Sequence, residues 1–134
     1  MNNTKLENMI SKVAESAVLK ELMTLEAAVK LIEAVENKAT EMGLAVVVAV
    51  SNAAGRPIAV HCMDGAYHGS FDVAINKTFT STAFQMSTAK LADLCRPGES
   101  LYGLQFSNDG KVMILGGGEP LMIGSTMKIG RAHV

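Results

Sequence analysis

The apolar positions of the chain follow two rhythms. Near the start, Leu6, Ile10, Val13 and Ala17 recur at helical spacing, joined by Met9. Thr4-Lys5-Leu6-Glu7 has the spacing of a capping box ahead of them. Residues 1–20 therefore read as a unit, an amphipathic helix with one apolar stripe. A helix this short is marginal alone in water, so the stripe needs a partner. That partner is the protein's own core, a dimer mate or another protein. A second helix is predicted from Leu25 to Met42, with Thr24 as N-cap and Gly43 ending it. Its buried stripe is Leu25, Ala28, Ile32, Val35, Ala39 and Met42, widened by Val29 and Leu31.

The rhythm then changes. Leu44 to Val50 is a nearly unbroken apolar run, the mark of a strand covered on both faces. Turn residues 51–55 separate it from Ile58–Met63, so 44–63 is predicted to be a hairpin. Helical spacing resumes from Ser70 to Gln85, with Phe71, Ala74, Ile75, Thr78, Ala83 and Phe84 as inward candidates. Thr78, Thr80, Ser81 and Thr82 make this a weak helix former whose small side chains allow close packing. A short helical turn over Lys90–Cys95 stops at Arg96-Pro97-Gly98. A second hairpin is predicted from Gln105 to Leu115 with Asp109-Gly110 at its turn, and another strand begins at Pro120–Ile123. The order α–β–β–α–β–β predicts an α+β domain, an antiparallel sheet with helices packed on it.

A chain of 134 residues fits one domain. With 49% apolar residues, 19% charged residues and a net charge of −1, it carries no electrostatic footprint for nucleic acid or an anionic membrane. No apolar run is long enough to span a bilayer, and the first residues lack a secretory pattern. Cys62 and Cys95 form no CxxC pair. Beside nine methionines they suit a reducing interior, and both are expected to be small buried hydrophobes. No Ser-His-Asp order, HExxH or spaced zinc pattern is present.

The chemistry concentrates between Ile58 and Lys77. A strand end, the Asp64-Gly65 turn and a helix start meet there, flanked by His61 and His68. Such corners offer orphan backbone N–H groups beside polar side chains. His68, in the loop before the helix, is the more accessible histidine. His61 alternates with Val60 and Cys62, so one choice of face decides whether it is buried or open. A surface histidine or a satisfied core histidine explains either one as well. Asp64 is expected to cap the turn. Gly116-Gly117-Gly118 is neither a P-loop nor a GxGxxG, so it marks a tight bend or a close backbone approach to a flat ligand.

From Thr24 to about Ile123 the sequence resembles the GlcG/HbpS-type haem-binding family, which includes the C-terminal domain of PduO-type cobalamin adenosyltransferases. The blocks that carry it are Leu25-Glu26-Ala27-Ala28, the hairpin VVVAVSNAAGRPIAV, Met63-Asp64-Gly65-Ala66 and SFDVAINK over 70–77. Pro97-Gly98 with Leu101-Tyr102-Gly103-Leu104, and Gly116-Gly117-Gly118-Glu119-Pro120, extend it. The family's usual Arg before Met-Asp is here Cys62, and its final Gly-Val-Ser-Gly block and last helix are missing, so the C-terminal strand and helix are expected to be truncated. The resemblance implies haem, or a corrinoid, as cofactor and a homo-oligomer as the assembly. It implies His68 and His61 as candidate metal ligands and cofactor contacts, because imidazole is a common axial ligand of haem iron. Lys77 falls on the family's recurrent lysine and is implied to meet a propionate or an oligomer partner. Gly116 and Gly117 are the further cofactor-contact candidates.

Residues 1–20 resemble the peptides that carry enzymes into bacterial microcompartments. The expected assignment is then an encapsulation-like helix at 1–20, a GlcG/HbpS-like domain at 21–128 and a tail at 129–134. Back-translated as atc gga aga gca cac gtc, with tga as stop, that tail spells a common sequencing-adapter read, so it is expected to be non-native. The whole reads as a haem- or tetrapyrrole-binding accessory protein, cytoplasmic and in a microcompartment lumen, linked to cobalamin-dependent metabolism. The alternatives are an oligomeric scaffold module without cofactor and, last for want of an acid–base constellation, an enzyme acting on haem or a small organic acid.

Overall fold

The computed structural model describes residues 4–5, 7–11, 23–123 and 126–133, with side chains as far as Met122. Residues 4–5 and 7–11 are helical. Leu6, Val13 and Ala17 of the predicted first stripe lie outside the described residues.

Helix α1 spans Leu25–Glu41. The Thr24 hydroxyl accepts from the amide of Ala27 at 3.1 Å, the N-cap that the sequence predicts. The helix ends on Gly43 at φ +70°. There the amide of Leu44 donates to Ala39 and that of Gly43 to Thr40, a Schellman closure that only a left-handed residue permits without strain. Ala28, Ile32 and Ala39 are buried. Leu25 and Met42, expected in the same stripe, are 60% and 61% exposed.

Strand β1 (Val47–Ser51) pairs antiparallel with β2 (Pro57–Cys62). Every residue of β1 is buried, as its unbroken apolar run requires. Asn52 closes the turn between them, its Oδ1 accepting from the amides of Ala54 and Arg56. Helix α2 (Ser70–Phe84) and the short α3 (Thr88–Leu94) follow. Strands β3 (Gly118–Ile123) and β4 (Thr126–His133) complete a four-stranded sheet in the order β2-β1-β4-β3. The fold is α+β, as the element order predicts.

Two segments differ from the sequence reading. The hairpin expected over 105–115 is absent. Residues Leu104–Phe106 and Asn108–Gly110 are single 3₁₀ turns, and 111–115 is not strand. Val112 and Ile114 instead pack on Leu91 and Cys95, so tertiary burial overrides the local turn signal. Beyond Gly124 the sequence carries no strand pattern, yet the backbone of 126–133 pairs with both β1 and β3. The amide and carbonyl groups on that side of β1 need partners, and this segment supplies them.

The sheet is covered on both faces. Helix α1 packs over β1 and β2, and α2 packs over β1, β4 and β3 on the other side. The inward face of α2 is the predicted one at Ala74 and Thr78, but it carries more polar residues than expected, and Phe71 and Ala83 are exposed. Phe71 is 42% exposed, while Lys77, Thr78, Thr80, Ser81 and Thr82 are buried beside Ala74. Hydroxyls tolerate that burial by bonding the helix's own carbonyls, Thr78 to Ile75 and Thr80 to Asn76, each at 2.7 Å. The Thr80 hydroxyl also accepts from the amide of Met113 at 2.8 Å, which holds the irregular 107–115 segment against the helix.

Candidate functional site

The alternation of β2 sorts its residues between two faces. Val48 and Val50 belong to the α1-side core, and the register pairs them with His61 and Ala59. Val47 and Ala49 belong to the α2-side core, and their partners are Cys62 and Val60. His61 and Cys62, neighbours in sequence, therefore leave the strand on opposite sides.

His61 meets α1. Its Nδ1 lies 2.7 Å from Oε1 of Glu36, in a contact 25 residues apart in sequence. Nδ1–H donates to the carboxylate when that nitrogen carries the proton. This is a partly exposed helix-to-strand tie.

The α2 side is different. After Cys62 the chain turns at Asp64-Gly65, where Gly65 takes φ +86° and the amide of Ala66 donates to Met63. The amides of Ser70 and Phe71 donate back to Tyr67 and His68, so the loop is tied to the first turn of α2. Between the strand end, this loop and that helix start lies an open cavity of about 530 Å³. His68, Cys62, Tyr67 and Phe71 line it, floored by Val47 and Met63. Its size falls within the usual range for small-molecule sites. Tyr67 is 86% exposed, so an aromatic face stands free at the mouth.

Of the residues expected to act together, the structure gathers only one here. His68 lines the cavity; His61 is across the sheet. Lys77 stands seven residues beyond the start of α2, about 10 Å along the axis at 1.5 Å per residue. It is buried, and its ammonium donates to the carbonyl of Gly116 at 2.8 Å. Gly118 shows why this loop is glycine. A Cβ there would lie 2.6 Å from Cγ2 of Thr88 and 3.1 Å from Cβ of Lys77. Its amide donates to the Thr88 hydroxyl at 2.9 Å. Lys77, Gly116 and Gly117 thus belong to the junction of α2, α3 and β3, away from the cavity.

Three cavity residues escaped the sequence reading. Cys62 is exposed, not buried as expected, whereas Cys95 is buried and its thiol is pushed above the ordinary value by desolvation. The period of two from Val60 was the signal that could have placed Cys62 on the α2 side. Tyr67 and Phe71 had only the position of the loop to mark them. Among the described residues, no three His, Cys, Asp or Glu side chains cluster as a metal site. What the corner offers is one imidazole beside a wide aromatic-edged cavity. That donor set suits a metal that arrives already held in a flat ring and needs only axial ligation.

Burial lowers the Lys77 pKa below the ordinary 10.5. The folded state then binds this proton less tightly than the unfolded chain does. The lysine's contribution to stability falls as pH drops through the folded pKa and is fully restored above 10.5. Denaturant melts of the parent and Lys77→Met across this alkaline window are expected to show the parent gaining relative stability as pH rises. A pH-independent difference would contradict this account of the buried ammonium.

Comparison with known proteins agrees with this architecture. The model of the family described as "Haem degrading protein HbpS-like" matches residues 23–132. An uncharacterized 15.0 kDa protein of the dhaT–dhaS intergenic region of Citrobacter freundii is 39% identical over 101 residues, 75% of this chain and 71% of that one. The corrinoid adenosyltransferase PduO of Salmonella typhimurium is 34% identical over 92 residues, 69% of this chain but only 27% of PduO. The crystal structure of a PduOC:heme complex superposes with a TM-score of 0.75 at 31% identity, covering 78% of this chain and 75% of that one. The chain belongs to the HbpS-like family, of the GlcG/HbpS type and related to the C-terminal region of PduO.

Proposed function

We propose that this protein binds haem, or a related tetrapyrrole such as a corrinoid, at the corner between β2 and α2. The observation that carries the reading is His68 on the wall of a cavity of about 530 Å³ edged by Tyr67 and Phe71. The solved PduOC:heme complex supports it from the side of the family. In this reading His68 would offer an imidazole nitrogen to the metal, and Tyr67 and Phe71 would supply aromatic contact to the macrocycle. Cys62 stands on the same wall. The cofactor would supply ligand and electron chemistry that no side-chain cluster among the described residues offers. His61 serves the α1 contact instead.

The wider setting is part of the same proposal. The chain acts as a cytoplasmic accessory protein of cobalamin-dependent metabolism, assembled as a homo-oligomer and carried into a microcompartment lumen by residues 1–20. Its likeness to PduO supports the cobalamin link. Exposed Tyr102 and Phe106 supply apolar surface for assembly to cover. We read the domain as 21–128 and the tail 129–134 as foreign to the gene, against which stand the pairing of 129–133 within β4 and the family match to residue 132. A genomic read through the locus is expected to leave this codon run after Lys128, and a read that keeps it makes the tail native.

Titration of the purified protein with haemin is expected to give a saturable Soret shift at a fixed ratio, with light scattering reporting a multimer. His68→Ala is expected to weaken binding by about tenfold or more, roughly 1.4 kcal/mol, and to change the spectrum. His61→Ala is expected to leave the spectrum alone. A parent protein that never saturates, or a His68→Ala spectrum equal to the parent's, would contradict the assignment. Residues 1–20 fused to a fluorescent protein are expected to form puncta in a microcompartment-forming cell. Diffuse fluorescence there would remove the address reading.

A further inference from the structure

The corner between β2 and α2 is marked by charge as well as by shape. Among the described residues that line it, Asp64 is the one carboxylate, and there is no lysine or arginine. Asp64 is exposed, and no ion pair among the described residues includes it. Neither flanking element brings a cation close. Arg56, just ahead of β2, stands about 20 Å from the Cys62 end of that strand at about 3.3 Å per residue. Lys77, the lysine of α2, lies about 10 Å along the axis from the helix start and donates to the Gly116 carbonyl. Lys30 and Lys38 belong to α1, on the other face of the sheet, where they pair with Glu26 and Glu41.

One source of positive potential competes. Helix α2 starts at the cavity, and a helix N-terminus attracts anions through its free amides and its dipole. Here that end is largely occupied. The amides of Ser70, Phe71 and Val73 donate to the carbonyls of Tyr67, His68 and Gly69. Asp72 stands in the first turn, where its charge offsets the dipole. With these amides closed and Asp64 on the wall, the corner repels an anionic group more than it attracts one.

Such a wall discriminates between flat macrocycles by what their edges carry. The edge of haem bears two propionates. A propionate brought against Asp64 meets like-charge repulsion that no lysine or arginine on the wall offsets. The edge of a corrinoid bears carboxamides, whose N–H groups donate to a carboxylate in charge-assisted bonds. Both classes meet the other demand of the corner, a ring-held metal open to an imidazole. We propose that Asp64 sets the ligand class here, selecting a tetrapyrrole edged by carboxamides over one edged by carboxylates. Because the cavity is open, haem still enters with its propionates turned to water, and binds more weakly. The inference rests on the tetrapyrrole reading and deepens it: His68 meets the metal, and Asp64 reads the edge.

The test isolates the edge with a matched pair of probes. Haemin and its dipropionamide share the ring and the iron, and differ only in carboxylate against carboxamide. Titrations of the full chain at the Soret band are expected to show the diamide binding about tenfold tighter. Asp64→Asn is expected to bring the two affinities within about threefold of each other. Cys62→Lys, which puts a cation on the same wall, is expected to turn the preference toward haemin. The readout is a ratio of two ligands on one variant, so a loosened turn that weakens both leaves it unmoved. Equal affinities in the parent, or a diamide preference undiminished in Asp64→Asn, overturn the proposal while the tetrapyrrole reading stands. If neither probe saturates, that reading fails and the edge selection falls with it.

Discussion

The alternation of a single β-hairpin governs what this protein can do. Because β1 is buried on both faces, its partner β2 is bound in register to two different cores. One residue of slip would exchange every side chain of β2 between them. The register sends His61 to α1 and the neighbouring Cys62 to the α2 side. That division leaves one histidine as a structural tie and directs the chain after Cys62 into the loop that presents the other. The cavity at the corner follows from the pairing of strands, and no unusual backbone is needed beyond the glycine turn at Gly65.

The second organising feature is the hydroxyl-rich inner face of α2. A helix of Thr and Ser residues would be a poor choice for a core built on hydrophobic area alone. Here their small volume lets the helix lie close over three strands, and their hydroxyls are bonded to backbone carbonyls, with Thr82 Oγ1 the exception among described buried side-chain atoms. Lys77 belongs to this arrangement. Its ammonium holds the Gly116 carbonyl, and the Thr88 hydroxyl receives the Gly118 amide, so one corner fastens α2, α3 and β3. The middle of α2 is thereby fixed while its start borders the cavity.

The strong local signals were legible in the sequence. Thr24, Gly43, the β1 run and the Asn52 turn each act through neighbours within a few residues, and each was found where the pattern put it. What the sequence hid depends on contacts distant along the chain. The 105–115 segment carries Asp109-Gly110, a good hairpin turn, but burial of Val112 and Ile114 against α3 holds it as 3₁₀ turns. The inward face of α2 was read correctly at Ala74 and Thr78, but Lys77, Thr80, Ser81 and Thr82 were missed because mostly apolar residues were expected to be buried. The candidate site was half legible. His68 and the Asp64-Gly65 corner could be singled out locally, but the separation of His61 required the register, and the burial of Lys77 required the packing of Gly116 and Thr88.

The most direct test of the account is where the metal sits. Crystals of the protein grown with haemin, with data collected at the iron edge, locate it by anomalous scattering without reference to any spectrum. The account predicts an iron peak in the corner between β2 and α2, closer to the imidazole of His68 than to that of His61. An iron on the α1 side of the sheet, or a corner closed by Tyr67 and Phe71 with the iron bound elsewhere, would contradict it.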